Sequence, residues 1–454
     1  MKRGVGFIAV AAMLGACSGD DSGGDGGSGA SGGTGNAGGS GNAGGSANGG
    51  SGANGGSAGN GGSGANGGSG ANGGSGASGG TGANGGTAGA GANGGSGASG
   101  GTNPGIGSAA ELAKALGRQP NFLFGMGNDL SNDHNQDGAY TLSATVDLHY
   151  AYLVGLLGQG GWPDWNANGS FVNILTDSAK ANGVTPMFTL YSMAAWGESN
   201  LSVLTNDGYM GPYWDGAKLL FERIAIFGDP VVVQFEPDFW AFAQLNGSAA
   251  SIPVHVGALA PDCAGLPDNL VGMGKCLVKL ARTYAKNAFV GFHASMWGGT
   301  PEAIGDYLVS IGAGDADLVT IDMLDRDAGC FEAHVDPACQ RNDGPWYWDE
   351  TNQTSPNFHE HFAKAKTIGQ KVGKPILWWQ VPFGVPSDTP GGTAGHYRDN
   401  RVKYIFEHVQ ELIDAGGVGV TFGTGAGNQT YIDSDGGQFD DAVVKYYANP
   451  VALP

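Results

Sequence analysis

A carboxylate ends one of the most apolar runs of the sequence. Glu236 directly follows the run Val-Val-Val-Gln-Phe at 231–235, and Phe239 and Trp240 come shortly after it. A buried strand has no structural need for an acid at its end, and flanking aromatic rings raise the pKa of a carboxyl by excluding water. The pattern predicts that Glu236 is a general acid. The structural alternative is an ion pair at the edge of the sheet.

A second group of acids follows another apolar run. Asp322, Asp325 and Asp327 lie at or just beyond the end of the run 317–324. Acid and base work is often divided between two carboxyls, one that gives a proton and one that accepts a proton or attacks as a nucleophile. We expect Asp322 or Asp325 to be the partner of Glu236. A local ion pair with Arg326 is the alternative.

The elements that must position these acids recur eight times. Short apolar or aromatic runs predict strands at 121–127, 148–155, 185–192, 230–236, 288–297, 317–324, 374–381 and 418–423. Helical spacing occurs between several of them, at 171–182, 217–226, 270–286, 356–372 and 398–415. Strands that are buried on both faces and joined by helices indicate a parallel sheet. Eight such units predict an α/β fold, a single (β/α)8 TIM barrel.

Polar and aromatic side chains collect where the predicted strands end. In a barrel, ligand-binding groups lie at the carboxyl ends of the strands. The residues predicted there for substrate binding are Asn128, Asp129, Tyr191, Trp196, Gln234, Trp240, His293, Trp297, Asp327, Trp379 and Gln380. The alternative for the tryptophans is a place in the core under long loops, and for His293 a hydrogen-bonded core histidine.

The position of Glu236 at the end of the fourth strand resembles the TIM-barrel glycoside hydrolases, many of which carry their acid/base Glu there. The resemblance implies cleavage of glycosidic bonds in a neutral polysaccharide or oligosaccharide by two carboxyls, with no required cofactor. The large retaining clan of these enzymes has Asn before this Glu and a nucleophilic Glu on strand seven. This chain has Phe235 and Gln380 instead. The partner of Glu236 is therefore expected on strand six, as in other barrel glycosidases.

Three alternatives remain open from the sequence. The spacing of Gln234 and Glu236 resembles that of substrate-assisted glycosidases of N-acetylated sugars. Gln380, an amide where a nucleophile is often found, favours a glycan-binding barrel without catalysis. A hydrolase of another exported substrate, such as a peptide, is less favoured, because the sequence has no His-Glu-x-x-His or Gly-x-Ser-x-Gly motif.

The first 107 residues predict export and a tether. Residues 1–17 have a basic start, an apolar stretch and the sequence Leu-Gly-Ala-Cys, which resembles a bacterial lipoprotein lipobox and implies lipid attachment at Cys17. Ser18 after that cysteine favours the outer membrane or cell surface. Residues 18–107 are almost entirely Gly, Ser, Ala, Asn and Thr, a composition that predicts a disordered linker. Residues 108–454 form the predicted catalytic domain.

Charge limits the partners of this domain. The formal net charge is −20, and the linker contributes only Asp20, Asp21 and Asp25 to it. An acidic surface argues against nucleic acid and polyanionic substrates, whereas a neutral carbohydrate polymer is compatible with it. We expect a monomer that contacts the membrane only through its N-terminal lipid anchor.

Two local features concern disulfides and metal. Four cysteines follow Cys17, and their spacing predicts disulfides between Cys263 and Cys276 and between Cys330 and Cys339. Separately, the segment Asp133-His-Asn135-Gln-Asp137-Gly matches the start of a calcium loop, although position twelve is Ala144 rather than Glu. It predicts a structural calcium site, with a plain polar loop as the alternative.

Overall fold

The strands of the computed structural model pair in chain order and close into a barrel, and every pairing is parallel. They are β1 (Leu123–Gly127), β2 (Leu148–Val154), β3 (Thr185–Tyr191), β4 (Val231–Phe235), β5 (Ala288–Ala294), β6 (Leu318–Asp322), β7 (Ile376–Val381) and β8 (Gly417–Phe422). The structure describes residues 106–127, 138–323, 328–334, 340, 344–384, 400–423, 430–432 and 434–454. The predicted (β/α)8 barrel and all eight of its strands are confirmed.

Helices surround the barrel. They are α1 (Ala109–Ala115), α2 (Trp162–Trp165), α3 (Phe171–Ala181), α4 (Asp207–Phe227), α5 (Phe239–Asn246), α6 (Leu270–Tyr284), α7 (Pro301–Ser310), α8 (Ala328–Ala333), α9 (Phe358–Val372), α10 (Arg401–Glu407), α11 (Val409–Asp414) and α12 (Gln438–Ala448). Gly228 and Gly373 end α4 and α9 in the left-handed conformation, which lets the chain turn into the next strand.

Two helices differ from the prediction. Helix α4 begins ten residues before the predicted start at 217, because the Asn206 side chain caps it by accepting a hydrogen bond from the Gly208 amide. Pro212 lies inside this helix and cannot donate to the Gly208 carbonyl, which accepts a hydrogen bond from Gln159 Nε2 at 3.1 Å instead. The stretch predicted as one helix over 398–415 forms α10 and α11, which are separated at His408.

Alternation along the strands decides which side chains face the barrel axis. On β4, the ring of Phe235 packs 6.3 Å from that of Phe221 in α4, on the helix side, whereas Gln234 lies in the interior beside Thr189. On β7, Trp378 donates to His361 Nε2 of α9 at 2.9 Å. Trp379, the next residue, consequently faces the interior, and its carboxyl-end position places it at the mouth of the barrel.

The two ends of the barrel sequence meet at the opposite face. The Phe122 amide donates to the Val451 carbonyl at 2.9 Å, and the Leu453 amide donates to the Pro120 carbonyl at 2.8 Å. Asn121 and Ala452 form an antiparallel bridge between them. The C-terminal residues therefore lie beside the start of β1, at the amino ends of the strands.

A disulfide joins Cys263 to Cys276, as predicted, and ties the short turn Pro261–Cys263 to α6. The connection that contains this turn runs past the start of α4, where the His255 amide donates to the Leu204 carbonyl at 2.8 Å and the His255 carbonyl accepts from Trp214 Nε1 at 2.8 Å. The second predicted disulfide stays a prediction, because Cys339 lies outside the described residues.

Other predictions also fall outside the described part of the chain. They concern the signal peptide, the linker, the calcium ligands Asp133, Asn135 and Asp137, and the site residues Asn128, Asp129, Asp325 and Asp327. Within the described ranges, no helix is long and apolar enough to cross a membrane. No cluster of three or more His, Cys, Asp or Glu side chains suited to a metal occurs among those residues either.

We expect the Cys263–Cys276 disulfide to stabilise the domain, because it closes a loop with a sequence separation of 13 in the unfolded chain. The double variant C263S/C276S should lose about 2–4 kcal/mol of unfolding free energy. Guanidinium unfolding of the oxidised proteins measures this loss. An unchanged midpoint would contradict the expectation, and a further loss on adding reductant to the variant would report a second disulfide.

Candidate active site at the mouth of the barrel

The end of β6 brings an acid into the mouth of the barrel. Asp322 is the last residue of β6 and lies in register with Trp379 on β7. Its Oδ1 is 3.5 Å from His293 Nε2 on β5, and its side chain keeps 13% of its surface exposed. Asp322 is thus a mostly buried carboxylate that solvent can still reach. The prediction of an acid at this strand end agrees with its position.

Aromatic rings form one wall of the mouth. Trp379 lies 5.8 Å from the ring of Tyr152 and 5.3 Å from that of His293, and Tyr152 lies 6.2 Å from Tyr191. Tyr152 is not among the residues predicted from the sequence. Its spacing from Tyr150, two residues apart on β2, was the available signal, because residues at that spacing share one face of a strand.

Several buried side chains of the barrel strands carry a polar atom without a hydrogen-bond partner among the described residues. They include Gln234 Oε1, Trp379 Nε1 and His293 Nε2, the last of which has only the 3.5 Å contact with Asp322. All three side chains are at least 95% buried. Buried polar groups are nearly always hydrogen-bonded, since leaving one unsatisfied costs about 1–3 kcal/mol. These atoms are suited to water or to a polar ligand that enters the mouth.

The side chain of Glu236 is not exposed at the mouth of the barrel. The side chain is 0% exposed, and its carboxylate accepts hydrogen bonds from the backbone amides of Met193 at 2.9 Å and Ser192 at 3.3 Å. Those amides begin a short 3-10 turn, Ser192–Trp196, that follows β3. The carboxylate therefore caps this turn. The structure does not place Glu236 at a substrate-accessible surface, and its role as general acid stays a prediction.

Burial controls the protonation of Glu236. It raises the pKa of this carboxyl to about 8, and the backbone hydrogen bonds from Met193 and Ser192 offset only part of the rise. The same enclosure raises the pKa of Tyr213 and of Tyr209 in α4, with the charge of Glu236 as a secondary cause. Tyr209 donates to the Ser192 carbonyl at 2.7 Å and so holds the same turn from the helix side.

A second acid follows Glu236 after one proline. Asp238 is partly exposed, and its Oδ1 accepts hydrogen bonds from Ser295 Oγ at 2.9 Å and Trp297 Nε1 at 3.2 Å. Ser295 and Trp297 come directly after β5. The side chain of Asp238 thus lies beside the end of the strand that also carries His293. Asp238 belongs to the same Glu-Pro-Asp segment, but the sequence pattern singled out Glu236, because Glu236 directly follows the apolar run.

A further acid belongs to the rim beyond β3. Glu198 is 6% exposed and accepts a hydrogen bond from the Tyr191 hydroxyl through Oε1. Tyr191 ends β3 and is only partly buried. The predicted site residue Tyr191 therefore presents its hydroxyl to a carboxylate that was not among the predicted site residues.

The remaining predicted residues divide between rim and core. Trp196 and Trp297 are 48% and 37% exposed and lie on the rim. Gln380 is 5% exposed, with a left-handed backbone at the end of β7. The prediction for Trp240 is corrected: this residue is 2% exposed, donates to the Phe235 carbonyl at 3.0 Å and packs 5.3 Å from Phe292. Its position in the first turn of α5 directs it into the core.

No protein-family model matches the chain. No curated protein matches its sequence. Solved structures with a similar fold include GH26C from Muricauda sp., with 13% identity and a TM-score of 0.45 over 76% of this chain and 90% of that chain. A Bacteroidetes-affiliated GH5 cellulase linked with a polysaccharide utilization locus has 12% identity and a TM-score of 0.45 over 74% and 94%.

The GH26 domain of an endo-β-mannanase/endo-β-glucanase from Prevotella bryantii has 12% identity and a TM-score of 0.38 over 75% of this chain and 93% of that chain. By their names, these three structures are a GH26 protein, a GH5 cellulase and a GH26 domain of a mannanase/glucanase. At these identities and TM-scores, no activity, substrate or residue role is carried over from them.

The raised pKa of Glu236 predicts a pH-dependent stability. Between the ordinary value of 4.5 and about 8, the folded protein holds a proton that the unfolded chain has released. The free energy of unfolding therefore falls as pH rises through this window, by up to about 1.4 kcal/mol per pH unit. Gln cannot titrate, so E236Q should gain stability relative to wild type from pH 5 to pH 8. Urea unfolding at pH 5, 6.5 and 8 measures the difference.

In E236Q, the side-chain NH2 group can face the backbone N–H of Ser192 or Met193, which is an unfavourable contact. The free-energy cost of this contact does not change with pH. Only the pH dependence is therefore diagnostic. E302Q, which changes an exposed glutamate in the first turn of α7, is the matched control. Parallel stability curves for wild type and E236Q would contradict a raised pKa at Glu236.

Proposed function

We propose that this protein is a glycoside hydrolase that cleaves glycosidic bonds in a neutral polysaccharide or oligosaccharide with a pair of carboxyls. One observation carries the proposal: Asp322 contacts His293 at the end of a parallel barrel strand, near aromatic rings and near the buried atoms Gln234 Oε1 and Trp379 Nε1, which have no hydrogen-bond partner among the described residues. Sugars present both hydroxyls and flat apolar faces, and such a site offers groups for each.

The charge of the protein supports a neutral substrate. A net charge of −20 repels polyanions, and Asp238 and Glu198 add acidic groups beside the ends of β5 and β3. Carboxylates accept hydrogen bonds from sugar hydroxyls without requiring an opposite charge on the ligand. The proposal therefore favours uncharged glycans over acidic ones.

Hydrolysis requires a second carboxyl besides Asp322. Glu236 is the candidate that the sequence indicates, but it would reach a substrate only if the turn Ser192–Trp196 moved, because its carboxylate is fully buried beneath that turn. The burial of Glu236, together with the amide of Gln380, favours a glycan-binding barrel without catalysis as the second candidate function. A substrate-assisted mechanism on N-acetylated sugars has Gln234 as its only support, and Gln234 lies inside the barrel with 0% exposure.

The proposal also covers the cellular location and the oligomeric state of the protein. We place the protein in the cell envelope, anchored by lipid at Cys17 on the outer membrane or cell surface, as a monomer joined to its anchor by the linker 18–107. Residues 108–454 would then act on polymer outside the cell. The support is the sequence alone: the lipobox-like segment, the Gly-rich composition and the acidic charge.

The full-length protein should release reducing ends from at least one member of a panel of neutral plant, fungal and bacterial polysaccharides. D322N should lower kcat by about 10²–10⁴-fold, because an amide cannot exchange the proton that the reaction needs. D306N, which changes an exposed acid on the outer helix α7, should leave the rate unchanged. Reducing-end assays with affinity electrophoresis on the same glycans measure rate and binding separately. Binding without hydrolysis by the wild-type protein would favour the glycan-binding alternative.

A further inference from the structure

We propose that Asp238, and not Glu236, is the strand-four carboxylate that touches the substrate, and that Glu236 is a positioning residue that fixes the turn on which Asp238 stands. This assignment rests on the proposed function, because it names a reacting group of the same site.

The backbone at the end of β4 is unusual. Glu236 and Asp238 have φ values of +43° and +64°, in the left-handed region that favours glycine. Six non-glycine residues in the described part of the chain have such a backbone, and three of them lie at the ends of β4 and β7, the third being Gln380. Strained conformations of this kind persist only where surrounding contacts enforce them, and they cluster at functional sites.

The contacts of Glu236 hold its backbone in the left-handed conformation. Its amide donates to the Leu190 carbonyl at 2.8 Å and continues the ladder between β3 and β4. Its carboxylate turns toward the amides of Ser192 and Met193 and toward helix α4, away from the barrel axis. The acid that the sequence pattern singles out is thus held as an internal cap and keeps no surface for a ligand.

The segment that follows β4 carries a second acid, Asp238, close to the end of β5. Asp238 lies two residues further on, is partly exposed, and receives hydrogen bonds from Ser295 and Trp297 on one oxygen, Oδ1. Two donors on one carboxylate oxygen favour its ionised form. Trp297 is 37% exposed and packs edge-on against Phe242, with ring centroids 4.7 Å apart, so its indole is fixed beside the carboxylate.

Asp238 and Asp322 both contact residues at the end of β5. Asp322 contacts His293, whereas Asp238 contacts Ser295, two residues further along the same chain. Residues two apart in an extended chain are separated by roughly 7 Å. The two carboxyls therefore contact residues that lie two positions apart at the end of one strand. Paired glycosidase carboxyls are separated by about 5–10 Å.

The reaction uses this pair as follows. One carboxyl donates a proton to the glycosidic oxygen while its bond to the anomeric carbon breaks, and we assign this to Asp322. The ionised Asp238 takes the proton of the water whose oxygen bonds to that carbon, or first bonds to the carbon itself and is later released by water. In the first course Asp322 ends ionised and Asp238 ends protonated, and exchange of one proton each with solvent restores the starting states. In the second course the ionised Asp322 takes the proton of the water that releases Asp238, so both carboxyls return to their starting states. Either course consumes one water.

Four variants of the full-length protein test the assignment: D238N, E236Q, E198Q and the control D306N. On the glycan that the wild-type enzyme hydrolyses, D238N should lower kcat at least 10²-fold and remove the acidic limb of the pH profile of kcat/KM. E236Q should keep both limbs and lose less than 10-fold. E198Q should also keep both limbs of the pH profile, because Glu198 accepts a hydrogen bond from Tyr191 and is not one of the two assigned reacting carboxyls.

Chemical rescue separates a reacting group from a structural one. Formate added to D238A supplies a small carboxylate in the space that Asp238 leaves, and it should restore part of the rate, whereas it should not affect D306N. A thermal unfolding midpoint of D238A within a few degrees of wild type shows that the variant is folded. If D238A does not fold, the pH profile of D238N decides the question.

The outcomes distinguish the two proposals. An active wild-type enzyme whose D238N variant retains its rate, or whose E236Q variant alone loses a limb of the pH profile, overturns the assignment of Asp238 and leaves the proposed function standing. A wild-type protein that hydrolyses no glycan of the panel contradicts the proposed function, and the assignment falls with it.

Discussion

The capping of the Ser192–Trp196 turn by the carboxylate of Glu236 links the ends of two neighbouring strands. It joins the turn after β3 to the last ladder position of β4 through the Ser192 and Met193 amides. On one side of this link the chain continues to Trp196 and Glu198, and on the other side it continues to Asp238. The shape of this part of the mouth therefore depends on a fully buried carboxylate. Because the interaction is buried, neither salt nor solvent weakens it greatly.

The mouth itself combines two properties that rarely occur together in a protein interior. Aromatic rings form one wall of it, while Gln234 Oε1 and Trp379 Nε1 are buried without a hydrogen-bond partner among the described residues. In a largely buried site, a hydrogen bond to an incoming polar group is stronger than it would be in bulk solvent. A site with these two properties offers contacts to apolar faces and to hydroxyls, which is the basis of the proposed carbohydrate ligand.

The strands were predictable because a strand buried on both faces must be apolar along its whole length, and the eight runs have this character. The acid of β6 was predictable for the same reason, since Asp322 interrupts such a run at its end. The orientation of Glu236 was not predictable. It depends on a left-handed backbone at a non-glycine residue, which only tertiary contacts can impose. Likewise, Trp240 follows a strand end in sequence, but helix α5 begins there and turns the indole inward.

The contact between the start of β1 and the C-terminal residues has a mechanical consequence. Asn121 and Ala452 bridge the two segments at the amino ends of the strands, on the face opposite the mouth. A force that pulls on the chain ahead of β1 is consequently shared with residues 451–453. It reaches the ends of β4, β5 and β6 only after passing through the whole hydrogen-bonded barrel. A force applied ahead of β1 therefore does not act directly on the acids at the ends of these strands.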